Sequence, residues 1–255
     1  MGGLTFGRFW RHPRWTKAHR WITLLIGLQI IAWTAGGIVF VWSDLDNIHG
    51  DFEVRAKKPE PVDLRFVGSP GRLAVANQSK KLGRRVVPRR IILREHFGRT
   101  AFVVYEKGSI PAGMVDAGSG VVLTPLVERA ARRLARSDFK GGDSIKSVVL
   151  LKEAPTEYRG GELPIWRVEF DNPKQTRLYL SPQSGRIRAR RNWNWRLFDF
   201  FWMLHTMDYR GRDDFNHWLI RGASVLAGLT ALSGLLLLLQ RLLPVRGGRK
   251  KGTLR

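Results

Sequence analysis

Residues 114–123 read MVDAGSGVVL, and residues 178–187 read LYLSPQSGRI. Each stretch runs from an apolar strand-like segment into a tight turn rich in Gly, Ser and Asp or Pro, then back into β-branched residues. Asp116-x-x-x-Gly120 and Ser181-x-x-x-Gly185 stand 65 residues apart. Working outward, the flanks repeat in the same order. Residues 72–82 (RLAVANQSKKL) read as a helix; VVPRRIILREH, RTAFVVYE and PAGMVD read as strands before the first turn, and VVLTP as a strand after it. Residues 125–136 (PLVERAARRLAR) open with Pro at the first helical position and place Leu126, Ala130 and Leu134 on one face. SIKSVVLLKE, PIWRVEF and TRLYL then lead to the second turn, and RIRAR follows it. The expectation is an α+β domain of two helix-plus-antiparallel-sheet repeats, 72–124 and 125–191.

Two apolar stretches flank this domain. Trp21 to Trp42 contains no charge, and Gly222 to Gln240 contains none. At 1.5 Å per residue each is long enough to cross a hydrocarbon core of about 30 Å. The expected spans are 21–42 and 215–241. Small residues four apart, Ala32/Gly36, Ser224/Gly228 and Ala227/Ala231, offer faces for close helix approach. Residues 43–71 are polar, carry Pro59, Pro61 and Pro70, and read as a linker. The aromatic segment 193–209 (WNWRLFDFFWMLHTMDY) reads as an amphipathic helix lying in the membrane interface.

The chain carries a formal charge of +23, with 44 Lys+Arg against 21 Asp+Glu. Residues 1–20 and 242–255 are basic tails without an acid, while every acid falls between 43 and 220. That asymmetry predicts both termini in the cytoplasm and residues 43–215 outside it. The excess charge then points to anionic lipid head groups at the C-terminal RKK cluster, and no nucleic-acid partner is expected. The absence of cysteine excludes disulfides, thiolate metal sites, Cys nucleophiles and covalent CxxCH haem. No HExxH, GxSxG or phosphate-loop motif occurs, no catalytic residue is assigned, and whether the chain is an enzyme stays open.

LYLSPQSGRI resembles the closing hairpin of the PepSY domain, and MVDAGSGVVL resembles a divergent second copy. HRWITLLIGL at the first span and FWMLHTMDYRG before the second resemble the PepSY-associated transmembrane family. The second copy departs from the family pattern by carrying Ser181 at the turn acid, and the chain has two spans where larger members have four. The resemblance implies a bacterial inner-membrane protein whose periplasmic PepSY module binds or regulates a membrane or periplasmic protein. The alternative it implies is an electron-transfer subunit with b-type haem in a transmembrane reductase of the ferric-siderophore type, linked to iron uptake. Under that alternative His19 and His205 match family histidines at span ends, and His217 joins them as a candidate haem ligand without a family counterpart. Two imidazoles on one iron lie about 4 Å apart, so His19 and His205, near opposite faces of the core, do not share a haem within one chain. His205 and His217 share one iron if the chain turns back at Tyr209–Asp214, and a homodimer would pair His19, His205 or His217 with its copy. Independently of the family, alternation in RIRAR predicts Arg186, Arg188 and Arg190 on one strand face, which either grips an anionic ligand or lipid phosphate or is a solvated edge strand protected by its charge.

Overall fold

The computed structural model describes residues 13–55, 71–96, 99–106 and 111–242. Contacts divide the chain into two units, residues 43–198 and residues 1–42 with 199–255.

The second unit in that list is built on two long helices. Helix α1 runs Pro13–Trp42 and helix α6 runs Trp218–Leu242. Within them His19–Trp42 and Trp218–Leu239 are long and apolar enough to cross a membrane, with mean hydropathy 2.1 and 2.0. A helix in the core of a soluble domain is covered on most sides; here only 11% and 6% of the most apolar windows are buried. Leu24, Leu25, Leu28, Leu232 and Leu238 point outward instead. Such a surface is stable against lipid and costly against water. The small-residue faces are used unequally. A Cβ at Gly36 would stand 3.7 Å from the Phe201 carbonyl, so that glycine marks a close helix approach, whereas one at Gly228 would meet nothing within 4 Å.

The unit 43–198 is a stack of layers. Helix α2 (Leu45–His49) and a 3-10 turn (Asp51–Glu53) come first, followed by helix α3 (Gly71–Leu82). Strands β1 (Arg90–His96), β2 (Arg99–Tyr105) and β3 (Pro111–Asp116) form an antiparallel sheet in that order. Helix α4 (Glu128–Asp138) leads to a second antiparallel sheet of β4 (Ile145–Leu151), β5 (Ile165–Phe170), β6 (Arg177–Leu180) and β7 (Ile187–Arg191). Helix α5 (Trp193–Thr206) begins here, and the boundary between the units falls within it.

Alternation along the strands decides what each face covers. Phe102 and Val115 pack with Ala74 of α3, while Val103, Tyr105 and Met114 on the other face pack with Leu126 and with Ala130 and Leu134 of α4. The opposite side of α4 sets Ala135 against Val168, Phe170, Leu178 and Leu180 of the second sheet. The order of layers is therefore α3, first sheet, α4, second sheet. Phe170, Ile165, Leu178 and Tyr179 are each under 2% exposed. Burial of a side chain of that size contributes about 1.5–3 kcal/mol. Gly113 opens a gap in β3 that the side chains of Gln78 and Thr124 fill, and Gln78 Nε2 donates to the Ala112 carbonyl at 2.8 Å.

The two turns share a set of hydrogen bonds, and the first adds one from Ser119 Oγ to Asp116 Oδ1 at 2.9 Å. In the first, the Gly118 and Ser119 N–H groups donate to Asp116 Oδ1, the Gly120 N–H to the Asp116 carbonyl and the Asp116 N–H to the Val121 carbonyl. In the second, the Gln183 and Ser184 N–H groups donate to Ser181 Oγ, the Gly185 N–H to the Ser181 carbonyl and the Ser181 N–H to the Arg186 carbonyl. Gly120 and Gly185 share the left-handed conformation, at φ 73° and 65°.

Three expectations need correction. The linker 43–71 is in part a docked segment. Asp44 caps α2, Gly50 ends it at φ 75°, and the Arg55 and Lys140 N–H groups close a bridge between this segment and the end of α4. Glu53 is buried there, accepting from Thr176 Oγ1 at 2.9 Å. Residues 56–70, which carry all three prolines of the linker reading, lie outside the described residues. Helix α4 starts at Glu128 rather than at Pro125, because the Leu126 N–H is drawn to the Pro182 carbonyl and its own carbonyl accepts from Trp166 Nε1. In the first repeat VVLTP is no full strand but a single bridge, Val115 with Val122.

Candidate functional site

The three histidines at the span ends are held in separate surroundings. His19 Nδ1 sits 2.7 Å from Ser233 Oγ of α6, and His19 Nε2 lies 3.4 Å from Thr23 Oγ1 one turn on. His205, near the end of α5, packs among the rings of Trp33, Phe40 and Trp202 at centroid separations of 6.3, 5.6 and 6.4 Å. Its Nδ1 is buried without a hydrogen-bond partner. The α5 terminus is fixed on α1 by Gln29 Nε2 donating to the Leu204 carbonyl and Trp33 Nε1 to the His205 carbonyl. His217 Nε2 lies 2.9 Å from the Thr206 carbonyl and donates to it.

These positions bear directly on haem. Trp33 is at the level of His205, and fourteen residues of α1 separate it from His19, a rise of about 21 Å. His19 and His205 of one chain therefore do not meet on one iron. His217 would have to give up its bond to Thr206 to ligate through Nε2. No group of three or more His, Asp or Glu among the described residues is placed to hold a metal ion.

The loop that follows α5 is organised by carboxylates. Asp199, buried in α5, pairs with Arg212, and the Arg212 carbonyl accepts from Trp202 Nε1. Asp208 collects the N–H groups of Arg210, Gly211, Asp213 and Asp214. Desolvation pushes its carboxyl up, but those four hydrogen bonds outweigh it and hold the pKa at about 2. The segment 193–209, read from the sequence as an interfacial helix, thus has its C-terminal half packed against α1 and tied to the loop.

The basic strip is divided among different partners. In β7, Tyr179 opposes Ala189 and Leu180 opposes Ile187, which leaves Arg188 as the bulge residue. The expectation that Arg186, Arg188 and Arg190 share a face fails for this reason: it assumed unbroken alternation. Arg190 opposes Leu178 on the α4 side and pairs with Asp138. Arg188 makes a two-pronged contact with Glu162, at 2.8 and 3.3 Å. Arg186 is exposed at the turn; the Arg94 guanidinium nearby has its pKa lowered by burial first and by the Arg186 charge second.

A site that the sequence reading missed lies on the outer face of the second sheet, under the loop 152–164. Glu157 there accepts from Tyr179 Oη at 2.6 Å, Arg177 at 2.9 Å and Arg196 at 2.9 Å. Burial raises the Glu157 carboxyl, but the Tyr179 and Arg177 hydrogen bonds and the Arg196 charge bring it below its ordinary value. Next to this knot is an open cavity of about 310 Å³ lined by Tyr158, Arg159, Gly160, Gly161, Glu162, Arg188, Ala189 and Arg191. The signal was available as the stretch Tyr158-Arg-Gly-Gly-Glu162, a glycine turn between charges in a loop otherwise passed over. Comparison with protein-family profiles, curated proteins and solved structures finds no match to this chain.

Proposed function

We propose that the chain is an inner-membrane protein whose domain 43–198 is a tandem PepSY module, displayed on the periplasmic side by two spans, that works by binding and regulating a protein partner. The observation that carries the reading is the pair of matched turns at Asp116 and Ser181, in a domain preceded and followed by a helix long and apolar enough to span a membrane. The order of elements and the family-like residues around both turns support the PepSY identity. The basic tails at 1–20 and 242–255 support cytoplasmic termini. Haem-based electron transfer is the alternative reading; it draws less support, because His19 and His205 of one chain do not share an iron.

The test is site-specific photo-crosslinking in living cells. A photoreactive residue replaces Val87 or Val121 of the first repeat or Val149 of the second, all exposed. The reading expects a discrete adduct with one other protein, confined to one repeat. No adduct from any of the three positions, with the protein integrated in the membrane, contradicts it.

A further inference from the structure

The edge of a sheet shows a row of unpaired N–H and C=O groups that another strand can join, and folds ordinarily blunt it. Of the four sheet edges among the described residues, three are blunted. β1 carries Arg90, Arg94 and Glu95. β3 is closed by the bridge from Val115 to Val122 and by the Leu123 N–H donating to the Met114 carbonyl. β7 holds Arg188, Arg190, Arg191 and a bulge. The outer edge of β4 differs. Its run Ser147–Leu151 (SVVLL) has no charge, proline or glycine, and its register shift lies before that run, between Ile145 and Ser147. Val149 and Leu150 are exposed, and among the described residues no strand or loop pairs with the outer side. The phase of the ladder tells which groups are open. The Phe170 N–H donates to the Thr176 carbonyl beside β6, so Phe170 and, by alternation, Val168 and Trp166 turn their backbone groups toward β6. Their partners in β4, Val148 and Leu150, therefore turn theirs outward.

A second copy of the chain is the simplest occupant, and charge argues against it. In an antiparallel pair, outward groups meet outward groups only in every second register. The allowed register that lays Ser147–Leu151 fully on itself sets Val148 opposite Leu150 of the copy and Lys146 opposite Lys152, at both ends. Like charges directly opposite are destabilising. Both lysines are exposed, and Lys146 reaches Glu169 at 3.8 Å. The same two lysines suit a strand that brings acids to those places. We infer that the outer edge of β4 binds an extended segment of the partner protein as a fifth strand, apolar along Ser147–Leu151 and carrying two carboxylates six residues apart, one opposite Lys146 and one opposite Lys152. The inference rests on the protein-partner reading and names the surface and the kind of segment it takes.

The experiment takes the photoreactive residue at Val149, Val87 and Val121 of the full chain in living cells and maps the crosslinked peptide of each adduct by mass spectrometry. Expected is an adduct from position 149 onto an apolar segment of another protein flanked by the two acids. Its yield should fall about tenfold with Leu150→Pro, which removes an outward N–H and takes no bond from β5. Should that variant lose its circular-dichroism melt, Lys146→Glu/Lys152→Glu, at two exposed positions, carries the test with a severalfold loss expected. An adduct from 149 onto a second copy of the chain, onto a segment without the acids, or undiminished in the folded variants overturns the inference. Adducts from 87 or 121 with none from 149 overturn it and leave the partner reading standing, whereas no adduct from any position contradicts that reading itself.

Discussion

The two repeats share one turn and differ in what surrounds it. In the first, the turn acid Asp116 is 6% exposed and lies 3.7 Å from Arg99, and the chain leaves the turn for a single bridge at Val122. In the second, Ser181 is fully buried, and the chain leaves the turn into a complete fourth strand, β7. The bond pattern of the turn is indifferent to the change, because Asp Oδ1 and Ser Oγ accept the same two N–H groups. The charge is not indifferent. An ionised carboxylate is tolerable where an arginine and solvent are near and costly where neither is. The second repeat concentrates its charge elsewhere, in the Glu157 knot and the arginines of β7.

The largest expected effect attacks that knot. Glu157→Ala leaves the Tyr179 hydroxyl and the half-buried Arg196 without their carboxylate and Arg177 with Glu169 alone, and roughly 3 kcal/mol of stability should disappear. Thermal denaturation followed by far-UV circular dichroism measures it; a loss below the size of a surface pair would show that the knot is not structural. Next come the glycines. Gly185→Ala places a methyl 2.9 Å from His96 and 3.1 Å from Leu134 as well as in a left-handed conformation, and Gly120→Ala meets the same backbone penalty. The backbone penalty is about 1–2 kcal/mol, so both variants should melt lower by at least that. A Gly185→Ala shift no larger than the backbone penalty would mean that the second turn is not packed against α4 as described.

Asp116→Ser makes the first turn resemble the second, and its signature is pH dependence. Burial raises the Asp116 carboxyl, but the Ser119 N–H, the Ser119 hydroxyl, the Gly118 N–H and Arg99 together set it below its ordinary value. Its folded pKa lies below the unfolded one, so its contribution is complete above the unfolded value, about 3.9, and is lost as the pH falls through the lowered folded value. The variant should therefore lose stability at neutral pH and show a flatter acid limb than wild type. An unchanged acid limb would remove Asp116 from the account. The smallest effect is Glu106→Ala, which breaks an exposed, solvent-screened pair with Arg84 and should barely move the same melt.

The repeat was legible because its signals are local. Turn chemistry at Asp116 and Ser181, β-branched runs and a helix with Ala130 and Leu134 on one face each sit within a dozen residues. What stayed hidden depends on contacts across long separations. Glu53 docks on Thr176, far along the chain, so residues 43–55 looked like linker. Leu126 is held by Pro182 and Trp166, so the start of α4 was placed early. The bulge at Arg188 breaks a strict alternation and sends neighbouring arginines to Glu162 and Asp138, which no period-2 reading anticipates. The histidines were placed at the span ends from the sequence, but the separation of His19 from His205 along α1 and the bonds of His19 to Ser233 and of His217 to Thr206 appear only in the fold.

The chain contains no cysteine, so single cysteines report its topology against a blank background. Asp143→Cys, exposed in the domain, and Thr253→Cys, in the C-terminal tail, should be tested with a membrane-impermeant maleimide small enough to pass the outer envelope of intact cells. The account predicts labelling at position 143 in intact cells and labelling at position 253 only after permeabilisation. Labelling at 253 with protection at 143 would contradict it, and would place the tandem domain in the cytoplasm.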